Sequence, residues 1–201
     1  MFREPYAERN RPERIVTFGA YLRVSESLEA HGKLRYVREA RAAYGASPVP
    51  VAGDAAKLEH SRLIEALNRG RKWARERFTR WLDPLLASNI AIAVVPSHDP
   101  YQTDTPIRLL ARELAAIGER ADATGVLVRQ TKIARIVFGG PSTPALHRET
   151  IRVESPHLVT GKAVLLLDDI VKSGNSLRAC RDLLYESGAG VVQAVALGRI
   201  G

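Results

Sequence analysis

The part of this 201-residue chain best equipped for chemistry is Val164-Leu165-Leu166-Leu167-Asp168-Asp169-Ile170-Val171-Lys172-Ser173-Gly174-Asn175-Ser176-Leu177. Its opening run of apolar residues suits a strand buried on both faces, and the two carboxylates then stand at the exit of that strand. Adjacent aspartates can accept hydrogen bonds from a vicinal diol, or reach a hydrated Mg²⁺. The short loop that follows opens a helix. Backbone N–H groups of residues 172–176 can converge there on a phosphate, and the helix dipole favours the same negative charge. Gly174 allows close backbone approach, while the Ser173 and Ser176 hydroxyls can donate further hydrogen bonds. A sugar phosphate would satisfy both halves of the segment.

This order of residues resembles the signature with which type I phosphoribosyltransferases bind 5-phosphoribosyl-1-diphosphate (PRPP): four apolar residues, two acids, two apolar residues, a variable position, Ser or Thr, Gly, any residue, then Ser or Thr. Two acids at a strand exit also occur in phosphatase-like and receiver-like sheets, but those do not call for Ser-Gly-x-Ser at this spacing. The resemblance implies that Asp168 and Asp169 hold the ribose diol and, directly or through water, Mg²⁺ as cofactor. Ser173, Gly174, Asn175 and Ser176 would bind the 5-phosphate, with Val171 and Lys172 also in the PRPP-binding set. Lys172 departs from the Thr, Asp or Ala common in the family. It could add charge for the phosphate, meet an acidic acceptor or point to solvent.

The remainder of the family pattern lies upstream. Val94-Val95-Pro96-Ser97-His98-Asp99-Pro100 sits where such enzymes hold diphosphate, and it resembles the Val-Pro loop of a ComF-like branch. Ser97 and His98 are the candidates to touch diphosphate, with a purely structural histidine as the alternative for His98. Val128-Arg129-Gln130-Thr131-Lys132 resembles an Arg-rich turn of the same branch. Arg129 and Lys132 could neutralise diphosphate charge, Arg129 in bidentate fashion, and Arg129 joins Asp168 and Asp169 as the expected catalytic set. The long stretch between Ile133 and Thr160, containing Gly139-Gly140-Pro141-Ser142-Thr143-Pro144, is read as a lid, with His147 and Arg148 near its end as weaker candidates.

The elements that must position these residues alternate in type. Ile90-Ala91-Ile92-Ala93-Val94-Val95 reads as a buried strand stopped by Pro96. Thr105 and Pro106 look like the cap and first residue of a helix that buries Ile107, Leu110, Ala111, Leu114 and Ile117 and stops at Gly118. Val126-Leu127-Val128 reads as a second strand and Ala163-Val164-Leu165-Leu166-Leu167 as the third. A helix from Asn175 buries Leu177, Cys180 and Leu184 and ends near Gly188, before a closing strand over residues 191–197. This predicts an α/β fold of the type I phosphoribosyltransferase kind: a mostly parallel twisted sheet with helices on both faces and ligands beyond the strands' carboxyl ends. A small N-terminal hood occupies residues 1–55 and the core 56–201. Within them, residues 15–22 suit an edge strand, 25–44 a helix, 46–53 a connection, and 56–82 one long helix broken at Asp83-Pro84.

Composition narrows the function classes. With 45% hydrophobic and 26% charged residues the chain can build a core, which argues against disorder. Its one cysteine excludes an internal disulfide and a cysteine-based zinc site, and no apolar run nears the ~18 residues of a membrane span, so a cytoplasmic protein is expected. A net charge of +8 fits a polyanionic ligand, a nucleic acid or a membrane surface. The densest basic run, residues 69–81, sets Leu67, Ala74, Phe78, Trp81 and Leu82 on one helix face and Arg71, Lys72, Arg75 and Arg80 largely elsewhere. That is first of all an amphipathic core helix. Two functions follow: an enzyme that transfers ribose 5-phosphate from PRPP to a nitrogen acceptor (nucleobase or amine), or a non-catalytic PRPP or nucleotide sensor that grips nucleic acid or protein through that helix. The enzyme is favoured, nucleic acid is not, and no membrane contact is expected. Tyr21, Tyr36 and Phe138 are the aromatics available to stack on an acceptor, and a homodimer is compatible with the resemblance.

Overall fold

Apolar runs and helical periods of the sequence fold into one sheet flanked by two helical layers. The computed structural model describes residues 1–21, 54–133 and 143–200. The helix expected at 25–44, the 46–53 connection, Tyr36, Phe138 and the Gly139–Ser142 part of the lid lie outside the described residues. In chain order the strands are β1 (Val16–Thr17), β2 (Ala20–Tyr21), β3 (Ala91–Val94), β4 (Ala121–Asp122), β5 (Leu127–Arg129), β6 (Ile151–Val153), β7 (Ala163–Val171) and β8 (Val191–Ile200). The helices are α1 (Asp54–Asn68), α2 (Lys72–Leu82), α3 (Pro106–Ile117), α4 (Pro144–Thr150) and α5 (Asn175–Glu186).

The main sheet is parallel throughout and runs β1–β8–β7–β3–β4, with β2 also on β8. Continuous apolar strands make sense here because both faces are covered. Ile92, Val94, Leu165 and Leu167 face one core built with α1, α2 and α3, including Ile64, Leu67, Phe78, Leu82, Leu110 and Leu114. Ala91, Ala93, Val164 and Leu166 face the other, where Leu177, Cys180 and Leu184 of α5 pack. Cys180 is fully buried, as its small apolar character suggests. The mostly parallel sheet with helices on both faces agrees with the expected architecture.

Three elements differ from the expectation. The helical stretch 56–82 is interrupted at Gly70, whose φ of 72° ends α1, and α2 restarts at Lys72. Residues Asp83–Leu85 form only a 3-10 turn, so glycine breaks the helix before proline does. The strand expected at 126–128 exists as β5 but does not enter the main sheet. It pairs antiparallel with β6, and the edge beside β3 is the short β4 instead. Hydrophobic pattern reports burial, not partner, and β5 is buried against the α5-side core from its own ribbon. Finally, β7 continues to Val171, four residues beyond the apolar run.

At the end of α3, Gly118 is the C-cap as expected, but its φ is −101° and the left-handed residue is Glu119. Glycine is needed there for space. A Cβ at 118 would collide with the guanidinium of Arg120, which is buried and donates to Asp83 Oδ1 at 2.7 Å and to the carbonyls of Ala87 and Leu114. Thr105 is the N-cap residue of α3, yet its side chain makes no cap hydrogen bond.

Residues 1–21, counted with the expected hood, reach the main sheet. Phe2 and Phe18 enter the core beside Trp81, and β1 lies along β8 as an edge strand.

Candidate functional site

Chain order and spatial order diverge between β3 and β7. From β3 the chain moves outward to β4, then returns to build β7 and β8 on the opposite side of β3. Connections leaving neighbouring strands in opposite directions open a crevice at the carboxyl ends of the pair. The residues at the ends of β3 and β7 therefore define the site.

β7 outruns its neighbour there. Pairing between them ends at Val94↔Leu167, with Val95 N–H donating to the Leu167 carbonyl at 3.0 Å, whereas β7 stays paired with β8 as far as Val171↔Arg199. Asp168 and Asp169 thus stand on a strand end open on its β3 side. Their carboxyls stay close enough to interact with each other, although each also has neighbours of its own. Asp168 lies towards α5, near Cys180, while Asp169 lies towards α1 and accepts from Asn68 Nδ2 at 2.7 Å. Part of Asp168 reaches solvent, but its carboxyl sits below the surface. Burial first, and then the charge of Asp169, hold it well above the ordinary carboxylate value, against the opposing pull of the Asp169 N–H at 3.0 Å. Asp169 Oδ1 accepts from the Ile170 N–H at 2.7 Å, so both its oxygens are oriented.

The expected phosphate loop follows directly. Gly174 is the N-cap of α5 with φ 80°, a left-handed conformation that favours glycine. No side chain caps the helix and no acid stands in its first turn. The first amides of a helix have no partner inside it, so those of α5 are presented to whatever lies beyond the loop. Ser173 Oγ accepts weakly from Asn175 N–H at 3.4 Å. Arg178, a residue the sequence reading passed over, donates from Nη1 to the Ser173 carbonyl at 3.0 Å and to Asn175 Oδ1 at 3.3 Å. It occupies the Ser173 carbonyl beside the loop amides and sets a positive charge next to them. Lys172 and Ser173 are exposed, whereas Asn175 and Ser176 are half-buried and Val171 is in the core.

The residues after β3 are built differently. Ser97 Oγ lies 3.3 Å from His98 Nδ1, donates to Gln102 Oε1 at 3.1 Å and accepts from the Asp99 N–H at 3.3 Å. Arg129 reaches this loop from beneath. Only 4% exposed, it donates from Nε to the Ser97 carbonyl at 2.6 Å and from Nη1 to Thr150 Oγ1 at 2.7 Å, and its burial lowers its pKa from the usual guanidinium value. Lys132 pairs with Asp99 at 2.7 Å, and the Ile133 N–H donates to the His98 carbonyl at 3.0 Å. The Lys132 contact, joined by the Tyr101 N–H, holds the Asp99 carboxyl below its usual value. The fold therefore brings Ser97, His98, Arg129 and Lys132 together. Arg129 acts as a buried strut of the loop, and the largely exposed Lys132 pairs with Asp99 at its rim.

His147 and Arg148 lie on α4. His147 is fully buried, and burial with the nearby Arg129 charge lowers its pKa to about 4, so it is neutral at physiological pH. Arg148 pairs with Glu186. In the basic stretch of α1 and α2, Arg69, Lys72, Arg75 and Arg77 meet Glu65, Glu76, Glu113 and Glu59. Asn68 and Arg178 could not be read as site residues from sequence, since neither type nor spacing marks them. Arg178 at least falls on the first turn after a recognisable loop.

Two carboxylates provide hard oxygen donors suited to Mg²⁺, which commonly keeps waters and binds through one or two carboxylates plus phosphate oxygens. Among the described residues no group of three or more His, Cys, Asp or Glu is clustered for a metal. The acids therefore fit an ion shared with a phosphorylated ligand better than a cage made wholly of protein.

With this geometry in view, the comparison with known families becomes specific. Residues 108–199 match the family model described as "Phosphoribosyl transferase domain". The matched span runs from α3 to β8 and contains both acids and the Ser173–Ser176 loop, while Ser97 and His98 precede it. The fold is consistent with that of type I phosphoribosyltransferases. Two relatives, each called "HGPRTase-like protein" and from two strains of Halobacterium salinarum, are 28% identical to the chain over 58% of its length. The aligned part spans 63% of each relative. Among the described residues no helix is long and apolar enough to cross a membrane.

Proposed function

We propose that this chain is a phosphoribosyltransferase that binds PRPP with Mg²⁺ and transfers ribose 5-phosphate to a nitrogen nucleophile, a nucleobase or an amine, releasing diphosphate. The observation that carries the reading is the overrun of β7 past β3. It puts two acids at an open strand end, immediately before an uncapped helix start at Gly174. The phosphoribosyl transferase domain match over the same residues supports it, as do two relatives bearing HGPRTase-like names. Placement in a ComF-like branch rests on the Val95-Pro96 loop and the Arg129 turn.

In this reading the loop amides of residues 172–176 bind the 5-phosphate, and Asp168 and Asp169 accept from the ribose hydroxyls at the strand end. Ser97 and His98 lie where the diphosphate would rest, held in place by Arg129 and by the Lys132–Asp99 pair. The bond from acceptor nitrogen to C1 forms as the bond from C1 to the diphosphate oxygen breaks, and that electron pair leaves with diphosphate. Catalysis then comes from holding the ring while C1 moves and from stabilising the departing charge. Bound Mg²⁺ would supply Lewis-acid stabilisation of the diphosphate oxygens. Burial and the neighbouring Asp169 charge disfavour the Asp168 anion, and a cation or hydroxyl donors facing it would favour that anion, so ligand binding should draw its pKa down.

Isothermal titration with PRPP and Mg²⁺ tests the proposal. Asp168→Asn/Asp169→Asn should weaken PRPP binding by about a hundredfold or more, the loss of two charge-assisted contacts. Equal binding by wild type and double variant would overturn it.

A further inference from the structure

Gln193 is an unusual residue for the middle of a buried parallel strand, and the way its side chain is satisfied leads to the phosphate loop. It lies on β8 with no exposed surface. Burying an amide is unfavourable unless its hydrogen bonds are replaced. Here they are replaced by a segment of the N-terminal region. Oε1 accepts from the Arg11 N–H at 2.5 Å, while Nε2 donates to the carbonyls of Arg11, Arg14 and Ala194, each at 3.1 Å. From α5, Arg181 Nη1 donates to the Pro12 carbonyl at 3.2 Å. The next residues enter β1, where Val16 pairs with Val195. Residues 11–15 are thus held at both ends as a strap alongside the first half of β8.

The strap delivers one side chain to the candidate site. Ile15 is half-buried against the α5-side core, and its Cδ1 lies only 2.5 Å from the point where a Cβ on Gly174 would sit. The isoleucine methyl fills space that any other residue at 174 would claim. Val171 Cγ2 approaches the same point at 3.6 Å. Gly174 is the left-handed residue that turns the loop into α5, so an apolar methyl packed beside its Cα limits the directions in which the amides of residues 172–176 can aim.

We infer that Ile15 is a positioning residue for the 5-phosphate end of the ligand, and that Gln193 is the clasp that keeps it there. The inference rests on the phosphoribosyl reading and extends it to a region remote in sequence. Its consequence is selective: release of the strap loosens the phosphate loop and leaves the Ser97–His98 loop, which is tied by Arg129 and Lys132, unaffected.

Three ligands separate the possibilities in one set of titrations: PRPP with Mg²⁺, ribose 5-phosphate, and inorganic pyrophosphate with Mg²⁺. Ile15→Ala should weaken PRPP and ribose 5-phosphate binding by about tenfold and leave pyrophosphate binding unchanged, since misplacement touches only one end of the ligand. Gln193→Leu should reproduce that selectivity. If it does not fold, Ile15→Ala at a half-exposed position still decides the question. Wild-type affinity of Ile15→Ala for ribose 5-phosphate overturns the inference, and so does an equal loss for all three ligands, the mark of general loosening. Failure of the wild type to bind either PRPP or ribose 5-phosphate sinks the phosphoribosyl reading itself, and the inference with it.

Discussion

The loops beyond β3 and β7 lie on two sides of one crevice, yet they are stabilised in opposite ways. After β3, polar groups satisfy one another: Arg129 holds the Ser97 carbonyl and Thr150, Lys132 holds Asp99, and Ile133 holds the His98 carbonyl. After β7, the helix start has no side-chain cap, and Asp168 is buried beside a second carboxylate in a way that disfavours its charge. The first loop is complete without a ligand. The second leaves its helix start uncapped and the Asp168 charge disfavoured, which is the arrangement the proposed ligand would relieve.

The contrast is broken most severely at Arg129. Replacing Arg129 with alanine removes a buried guanidinium and takes a donor from the Ser97 carbonyl, while the Thr150 hydroxyl keeps its bond to the Leu146 carbonyl, at a cost of roughly 2–4 kcal/mol in stability. Denaturant unfolding should report that loss, and pyrophosphate affinity should fall while ribose 5-phosphate affinity holds. An unchanged unfolding midpoint would mean that the strut carries no weight.

Asp168 should behave in the reverse sense. A carboxyl whose folded-state pKa is raised favours the fold while protonated, below its ordinary value of 3.8, and that advantage is lost as pH rises through the folded value. Asp168→Asn should therefore be more stable than wild type near pH 8 by about 1 kcal/mol or more, with the gain shrinking towards pH 4, although it binds PRPP worse. Thermal melts at several pH values would check this. A variant less stable than wild type across that range would contradict the burial argument.

The smallest effect belongs to Lys132. Its ammonium is largely exposed, so Lys132→Met should shift the melting temperature by no more than about a degree or two and weaken pyrophosphate binding only about threefold. A larger loss, steeply dependent on salt, would mean that Lys132 leaves Asp99 to meet the diphosphate directly.

How much of this was legible depends on how local each feature is. The strand–acid–loop–helix run of residues 163–186 was readable because its burial pattern, glycine turn and helix period are all properties of consecutive residues. The helix over 106–117 was readable for the same reason, with Pro106 at its start and Gly118 at its end. Gly70 was visible, but a helix-breaking glycine is weaker punctuation than Asp83-Pro84, and the break was expected at the latter. β5 was found as a strand and expected in the wrong sheet, because alternation and apolarity say that a segment is buried without saying beside what. The role of Arg129 was expected at the ligand, and its partners proved to be Ser97 and Thr150, both distant in sequence.

Taken alone, the sequence determined which residues form the buried strands and the principal helices, and which short segment has the composition to hold a sugar phosphate. Those properties depend on side-chain volume, backbone freedom and spacing along a single element. The tertiary structure decided that β7 projects past β3, that Asp168 is buried against Asp169 while Asp169 meets Asn68, and that Gln193 anchors a distant strap whose Ile15 closes on Gly174. Each of these depends on strand order and on contacts across the sheet, and contacts of that kind exist only once the chain has folded.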